Sequence, residues 1–154
     1  NFRLDPIQAA VLTVKLDYLE SWHAARRRNA DRYRQLFGQA GLVGDPVILP
    51  QAVYAHVEGA DRHNHHIYNQ FVILVPRRDE LRQFLQDNGV GCEIYYPLCL
   101  HQQECLKDET FRQRHFPVAE RAAATSLALP IYPELTGDQL AFVVETIQRF
   151  YQDR

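Results

Sequence analysis

The sequence predicts an α+β fold, a long N-terminal helix followed by a small mixed or antiparallel sheet with further helices packed on it. Three observations carry this. A single apolar stripe at helical spacing begins within the first seven residues, a run from His65 to Val75 is apolar on both alternating faces, and two later segments return to helical spacing behind recognisable starts.

The first helix is announced by Asp5-Pro6-Ile7-Gln8, where Asp5 can accept from the free amides, Pro6 suits the first turn and Gln8 can complete a capping box. Its stripe runs through Leu4, Ile7, Val11, Val14, Tyr18, Trp22 and Ala25, and Tyr33, Leu36 and Phe37 extend it to a stop at Gly38 or Gly41. Such a length predicts a helix that crosses a domain junction or packs on another subunit. Next, residues 47–50 and 53–57 read as modest strands and 65–75 as a central strand covered on two sides. Residues 79–88 form a short helix presenting Leu81, Phe84 and Leu85, ended by Asn88-Gly89. Residues 90–96 are a further strand, broken at Pro97. The polar, irregular stretch 98–116 is the natural functional loop. Pro117 opens another helix, 126–131 returns as a strand, and Thr136-Gly137-Asp138-Gln139 caps a last helix with Leu140, Val143, Val144, Ile147, Phe150 and Tyr151 on one side.

Composition bounds the function. With 154 residues, 46% hydrophobic and 23% charged, the chain suits one domain with a real core. A formal charge of −2 and scattered basic residues argue against a nucleic-acid partner, and Arg26-Arg27-Arg28 reads as a solvated helix face. No apolar run approaches the roughly 20 residues that span a bilayer. Three cysteines, Cys92, Cys99 and Cys105, with no signal peptide, predict a reducing, cytoplasmic setting. The lack of any methionine, with a helix start directly behind Asn1, predicts a piece of a longer protein.

Several chemistries lack their residues. There is no glycine-rich phosphate loop, HExxH, paired CxxC or nucleophile elbow, and Ser21 and Ser126 are the only serines. Cys92, Cys99, His101 and Cys105 do not have zinc-site spacing, and His63, His65 and His66 read as solvated or pocket-lining, so no metal site is expected. Cys99 and His101 lie two positions apart with no evident third residue to orient them as a thiolate pair. Of the 17 basic residues only Lys15 and Lys107 are lysines, and both read as solvated.

Four stretches, in order, carry a resemblance. They are Asn1-Phe2-Arg3-Leu4-Asp5-Pro6-Ile7-Gln8-Ala9-Ala10 with Val14-Lys15-Leu16; Ile67-Tyr68-Asn69-Gln70-Phe71-Val72-Ile73; Tyr95-Tyr96-Pro97-Leu98-Cys99-Leu100-His101; and Phe116-Pro117-Val118-Ala119-Glu120 with residues 127–136. Together they resemble the DegT/DnrJ/EryC1/StrS aminotransferases. The resemblance implies a fold-type I enzyme that uses pyridoxal phosphate to move an amino group from glutamate to a nucleotide-linked keto-sugar. It implies that residues 1–154 are the small C-terminal domain, 1–38 being the interdomain helix. The cofactor-lysine domain is then expected upstream, with no catalytic residue in this chain, and the chain alone is expected to be inactive. Asn1 matches the asparagine that reaches the cofactor phosphate of the neighbouring subunit, so a homodimer is implied. Tyr95, Tyr96 and His101 match the segment that faces the sugar nucleotide. Two departures stand out: Tyr95 replaces a common histidine, and Cys99 disturbs the usual proline-containing spacing. The rival reading is a stand-alone α+β module that binds a ligand or partner without catalysis.

Overall fold

Asp5 accepts the Ile7 amide hydrogen at 2.7 Å, and Gln8 Oε1 accepts that of Asp5 at 3.3 Å, so the expected capping box starts the chain's longest element. A computed structural model describes residues 3–59, 65–106 and 114–152. Helix α1 spans Pro6–Gln39. It closes through hydrogen bonds donated by the Ala40 amide to the Leu36 carbonyl and by the Leu42 amide to the Phe37 carbonyl, with Gly41 at φ +68°, a conformation that glycine adopts without a Cβ penalty.

Only the second half of α1 is packed. Ala25, Ala30, Tyr33 and Phe37 are buried, whereas Ile7, Val11, Val14 and Tyr18 of the apolar stripe stand in solvent. Arg26 corrects the reading of the arginine triplet as a solvated face. Its guanidinium donates to the carbonyls of Tyr68 (3.2 Å) and Ile131 (2.7 Å), tying α1 to the segments that flank the sheet.

The sheet is smaller than expected and antiparallel. Strand β1 (Phe71–Leu74) pairs with β2 (Ser126–Leu129), Phe71 opposite Leu129 and Leu74 opposite Ser126. Single bridges extend it on both sides, Ile48 to Leu74 and Glu93 to Ala128. The strand expected over 65–75 therefore shrinks to four residues, because Tyr68 takes φ +50° and breaks the extended run. Residues 53–57 are turns, and the segment 90–96 contributes one bridge only. β1 is central, as expected, but it is not fully covered: Phe71 and Ile73 are buried while Val72 and Leu74 are half-buried.

Helix α2 (Arg78–Asp87) buries Leu81 and Leu85, and Gly89 at φ +76° follows it. Arg78 is buried; its guanidinium donates to the carbonyls of Ala123 (3.0 Å) and Ser126 (2.9 Å) and so pins α2 to the junction before β2. Helix α3 (Pro117–Thr125) runs directly into β2, and helix α4 (Gly137–Gln152) closes the chain. The expected box at Thr136 is present, its amide donating to Gln139 Oε1 at 2.9 Å. α4 lays Leu140, Val143, Val144 and Ile147 against the core that Tyr33, Phe37, Phe71 and Ile73 share. Burial raises the Tyr33 phenol pKa, and its hydroxyl donates to the Pro130 carbonyl at 2.9 Å.

Candidate functional site

The half-covered face of β1 is where the site forms. Val72 and Leu74 make the floor of a cleft of about 1070 Å³, α3 gives one wall through Ala119, Ala122 and Ala123, and the loop from Tyr95 to Leu106 gives the other. Small side chains on α3 leave the space that larger ones would fill. The loop is placed by its ends. Glu93 exchanges both backbone hydrogen bonds with Ala128 of β2 (3.1 and 2.8 Å), fixing the chain two residues before Tyr95. Pro97 then offers no amide to continue a ladder. Beyond it, Leu100–Gln102 and Glu104–Leu106 are single 3₁₀ turns, the first closed by the Cys99 amide donating to Gln102 Oε1 at 3.2 Å.

Tyr95, Tyr96 and His101 all line this one cleft. Tyr96 is 78% exposed and Tyr95 45%, and the peptide between them is cis. Phe116, Leu98, Leu100 and Leu106 complete an apolar enclosure. Apolar faces tipped with two phenols, an imidazole and Gln103 suit a flat or ring-shaped ligand with polar edges.

His101 is largely enclosed, its side chain 10% exposed. Nε2 lies 3.2 Å from Glu120 Oε1, and the ring packs on Phe116 with centroids 4.9 Å apart. The same Oε1 accepts the Phe116 amide hydrogen at 2.9 Å, so Glu120 caps α3 where Phe116 has no capping side chain. That amide is the main reason the Glu120 carboxyl is held below its ordinary pKa, and His115 and His101 act in the same direction. Sequence reasoning placed Glu120 only within a matched stretch and gave it no role. Its spacing from His101, nineteen residues, carries no local signal.

Asn1 and Lys107 lie outside the described residues, as does His63. Lys15 is on the exposed half of α1, its Nζ 5.8 Å from the Trp22 ring centroid and away from the cleft. Among the described residues no lysine lines the cleft, so its described lining offers no covalent anchor for an aldehyde cofactor. Cys92, Cys99 and Cys105 are free thiols, and burial raises that of Cys92. Among the described residues no group of three His, Cys, Asp or Glu side chains could hold a metal ion, and no helix is long and apolar enough to cross a membrane.

A second cavity of about 740 Å³ lies between α1 and the residues 43–55, with Arg34, His65 and Tyr68 in its lining. Sequence reasoning missed it. Arg34 is engaged there, donating to the Tyr68 hydroxyl (2.8 Å) and the Pro50 carbonyl (3.0 Å) with its guanidinium 5.1 Å from the Tyr68 ring centroid. His66 stacks on the opposite partner, Tyr68, at 3.9 Å, and burial leads the effects that lower its pKa.

Among known proteins, the chain is 40% identical over 152 residues to the pleiotropic regulatory protein of Geobacillus stearothermophilus. It is 35% identical over 149 residues to the UDP-N-acetyl-3-dehydro-alpha-D-glucosamine 3-aminotransferase of Acidithiobacillus ferrooxidans. These matches cover 99% and 97% of this chain but only 38% and 36% of those proteins, so it spans a little over a third of their length. The crystal structure of a DegT DnrJ EryC1 StrS aminotransferase from Brucella abortus superposes with a TM-score of 0.75 at 31% identity, over 96% of this chain and 36% of that one. The model of the DegT/DnrJ/EryC1/StrS aminotransferase family matches residues 1–148, the whole of the fold just described apart from the end of α4, and the chain belongs to that family.

Proposed function

We propose that this chain is the small C-terminal domain of a fold-type I aminotransferase that passes an amino group from glutamate to a nucleotide-linked keto-sugar. Members of the family depend on pyridoxal phosphate, which supplies the carbanion chemistry. The chain's own contribution is one wall of the substrate cleft. Tyr95, Tyr96 and His101 face the sugar nucleotide, residues 1–38 form the interdomain helix, and Asn1 reaches the cofactor phosphate of a neighbouring subunit in a homodimer. The covalent lysine belongs to a preceding domain, and residues 1–154 alone are inactive.

The observation that carries this reading is the cleft itself. It gathers the three residues of the Tyr95–His101 segment under an apolar wall, offers ring-binding chemistry, and has no lysine among its described lining residues. The bare stripe on the first half of α1 supports a domain-crossing role, since Ile7 and Val14 are 77% and 64% exposed. A second reading, a ligand- or partner-binding module without catalysis, draws on the regulatory name of the Geobacillus relative.

Three measurements test the proposal. A longer protein that carries this chain is expected to aminate a UDP- or dTDP-linked keto-sugar with glutamate as donor, read by mass spectrometry, and Tyr96→Ala is expected to weaken sugar-nucleotide binding at least tenfold. Residues 1–154, incubated with pyridoxal phosphate and reduced with borohydride, are expected to label neither lysine selectively. Stoichiometric labelling of Lys15 or Lys107 sinks the proposal, and absent amination in the longer protein favours the binding module.

A further inference from the structure

We infer that Glu120 is a positioning residue. It holds His101 in the tautomer that carries its proton on Nε2, which leaves Nδ1 as a hydrogen-bond acceptor for the ligand in the cleft. The ligand group met there is accordingly a donor, a sugar hydroxyl or an amide N–H, and not a phosphate. This rests on the sugar-facing reading of the cleft.

Glu120 is held ionised by the Phe116 amide hydrogen at 2.9 Å, with His115 and His101 as the titratable groups facing it and Arg114 lining the same recess. An ionised carboxylate only accepts. The 3.2 Å contact with His101 is therefore a hydrogen bond only when Nε2 bears the hydrogen. A neutral imidazole has one N–H, so Nδ1 is then a lone-pair acceptor.

Placement does the rest. His101 stands between two spaces: the main cleft and a recess of about 340 Å³. Glu120 lines the recess and not the cleft, so Nε2 is turned away from the ligand side. Phe116 clamps the ring, and a side chain only 10% exposed has little freedom to flip. Among the described residues the structure records no second polar partner for the ring, which leaves the acceptor nitrogen for a ligand. A phosphate oxygen brings only lone pairs to such a nitrogen and is repelled by it, whereas a hydroxyl donates.

The test reads the tautomer directly. In the longer protein that carries this chain, with 15N-labelled histidine rings and at a pH of about 8 where imidazoles are neutral, long-range proton–nitrogen spectra distinguish the two forms. His101→Gln assigns the signal. The wild type is expected to show the Nε2–H form in large excess, and Glu120→Leu to convert it to a mixture. Glu120→Gln, whose carbonyl oxygen still accepts, is expected to preserve it. A helix cap alone predicts no effect on the tautomer. Should Glu120→Leu not fold, the wild-type spectrum and the Gln variant still decide. Addition of UDP-glucose is expected to shift the Nδ1 resonance, and inorganic phosphate is not.

A wild-type Nδ1–H tautomer, or a ring unchanged by Glu120→Leu in folded protein, overturns the positioning role whatever the ligand does. An Nε2–H tautomer that Glu120→Leu erodes, with no response to UDP-glucose, upholds that role and overturns the sugar-facing reading beneath it. A phosphate-induced shift equal to that of UDP-glucose overturns the assignment of the ligand group as a donor.

Discussion

The two halves of helix α1 are one continuous element with opposite fates. From Ala25 to Phe37 the apolar side chains pack against α4 and the sheet, Tyr33 and Phe37 wholly inaccessible and Leu36 half-buried. From Ile7 to Tyr18 the same kind of stripe faces water, Val11 54% and Tyr18 55% exposed. Helical periodicity states that a face is apolar; it does not state what covers it. The first half is held by its capping box and its continuity with the packed half, since nothing among the described residues lies on its stripe.

The largest expected contrast is in stability. Phe37→Ala removes a wholly buried ring and is expected to cost about 3–5 kcal/mol, whereas Val14→Ala, on the bare half, is expected to stay within about 0.5 kcal/mol. Urea denaturation of both variants checks this, and equal losses would mean that the first half is packed after all.

Self-association sharpens the contrast next. Val11, Val14 and Tyr18 offer an apolar patch, and sedimentation velocity is expected to show concentration-dependent association of this chain. Replacing all three with Gln is expected to weaken it at least tenfold, about 1.4 kcal/mol, without lowering the melting temperature. A strict monomer across a wide concentration range would count against an uncovered interface.

Helix caps give a smaller difference. Thr136→Ala unties the packed helix α4 and is expected to cost about 1 kcal/mol of global stability. Asp5→Ala is expected to increase fraying at the first turns of α1, seen as faster amide exchange, with little change in the global transition.

The smallest effect is a pH dependence at the cleft. Because the folded Glu120 carboxyl titrates below its ordinary range, its contribution is complete above the free carboxylate pKa. It fades as pH falls through the depressed folded value, His101 and His115 being the histidines that face it. Glu120→Gln is expected to flatten that part of a stability-versus-pH curve, and an unchanged curve would show the contact to be idle.

How much of this was legible beforehand differs from element to element. The starts of α1 and α4 were readable because a capping box is a local exchange between side chain and backbone within four residues. The helix expected over 79–88 and found at Arg78–Asp87 has no capping box, and was readable from its apolar spacing and its stop at Asn88-Gly89, which are local signals as well. Strand lengths were not. Pairing partners lie far apart in sequence, Phe71 with Leu129, and a positive φ at Tyr68 has no signature in apolar alternation. Tyr95, Tyr96 and His101 were named from their segment, but that they share a cleft depends on β1 and α3 supplying floor and wall. The arginine triplet misled, because a charged side chain on a helix looks solvated until a carbonyl from another segment reaches it, as those of Tyr68 and Ile131 reach Arg26.

The sequence by itself determined the local matters: where helices begin and stop, which faces are apolar, that only two lysines exist, and which stretches bear the family's pattern. Tertiary structure alone decided which half of α1 is covered, that β1 keeps one face open to form a cleft, and that Glu120 meets His101. The division is physical. Caps and periodicity are set by neighbours within a turn or two, whereas burial and side-chain pairing depend on chain closure across some twenty to a hundred residues, where no local rule fixes the partner.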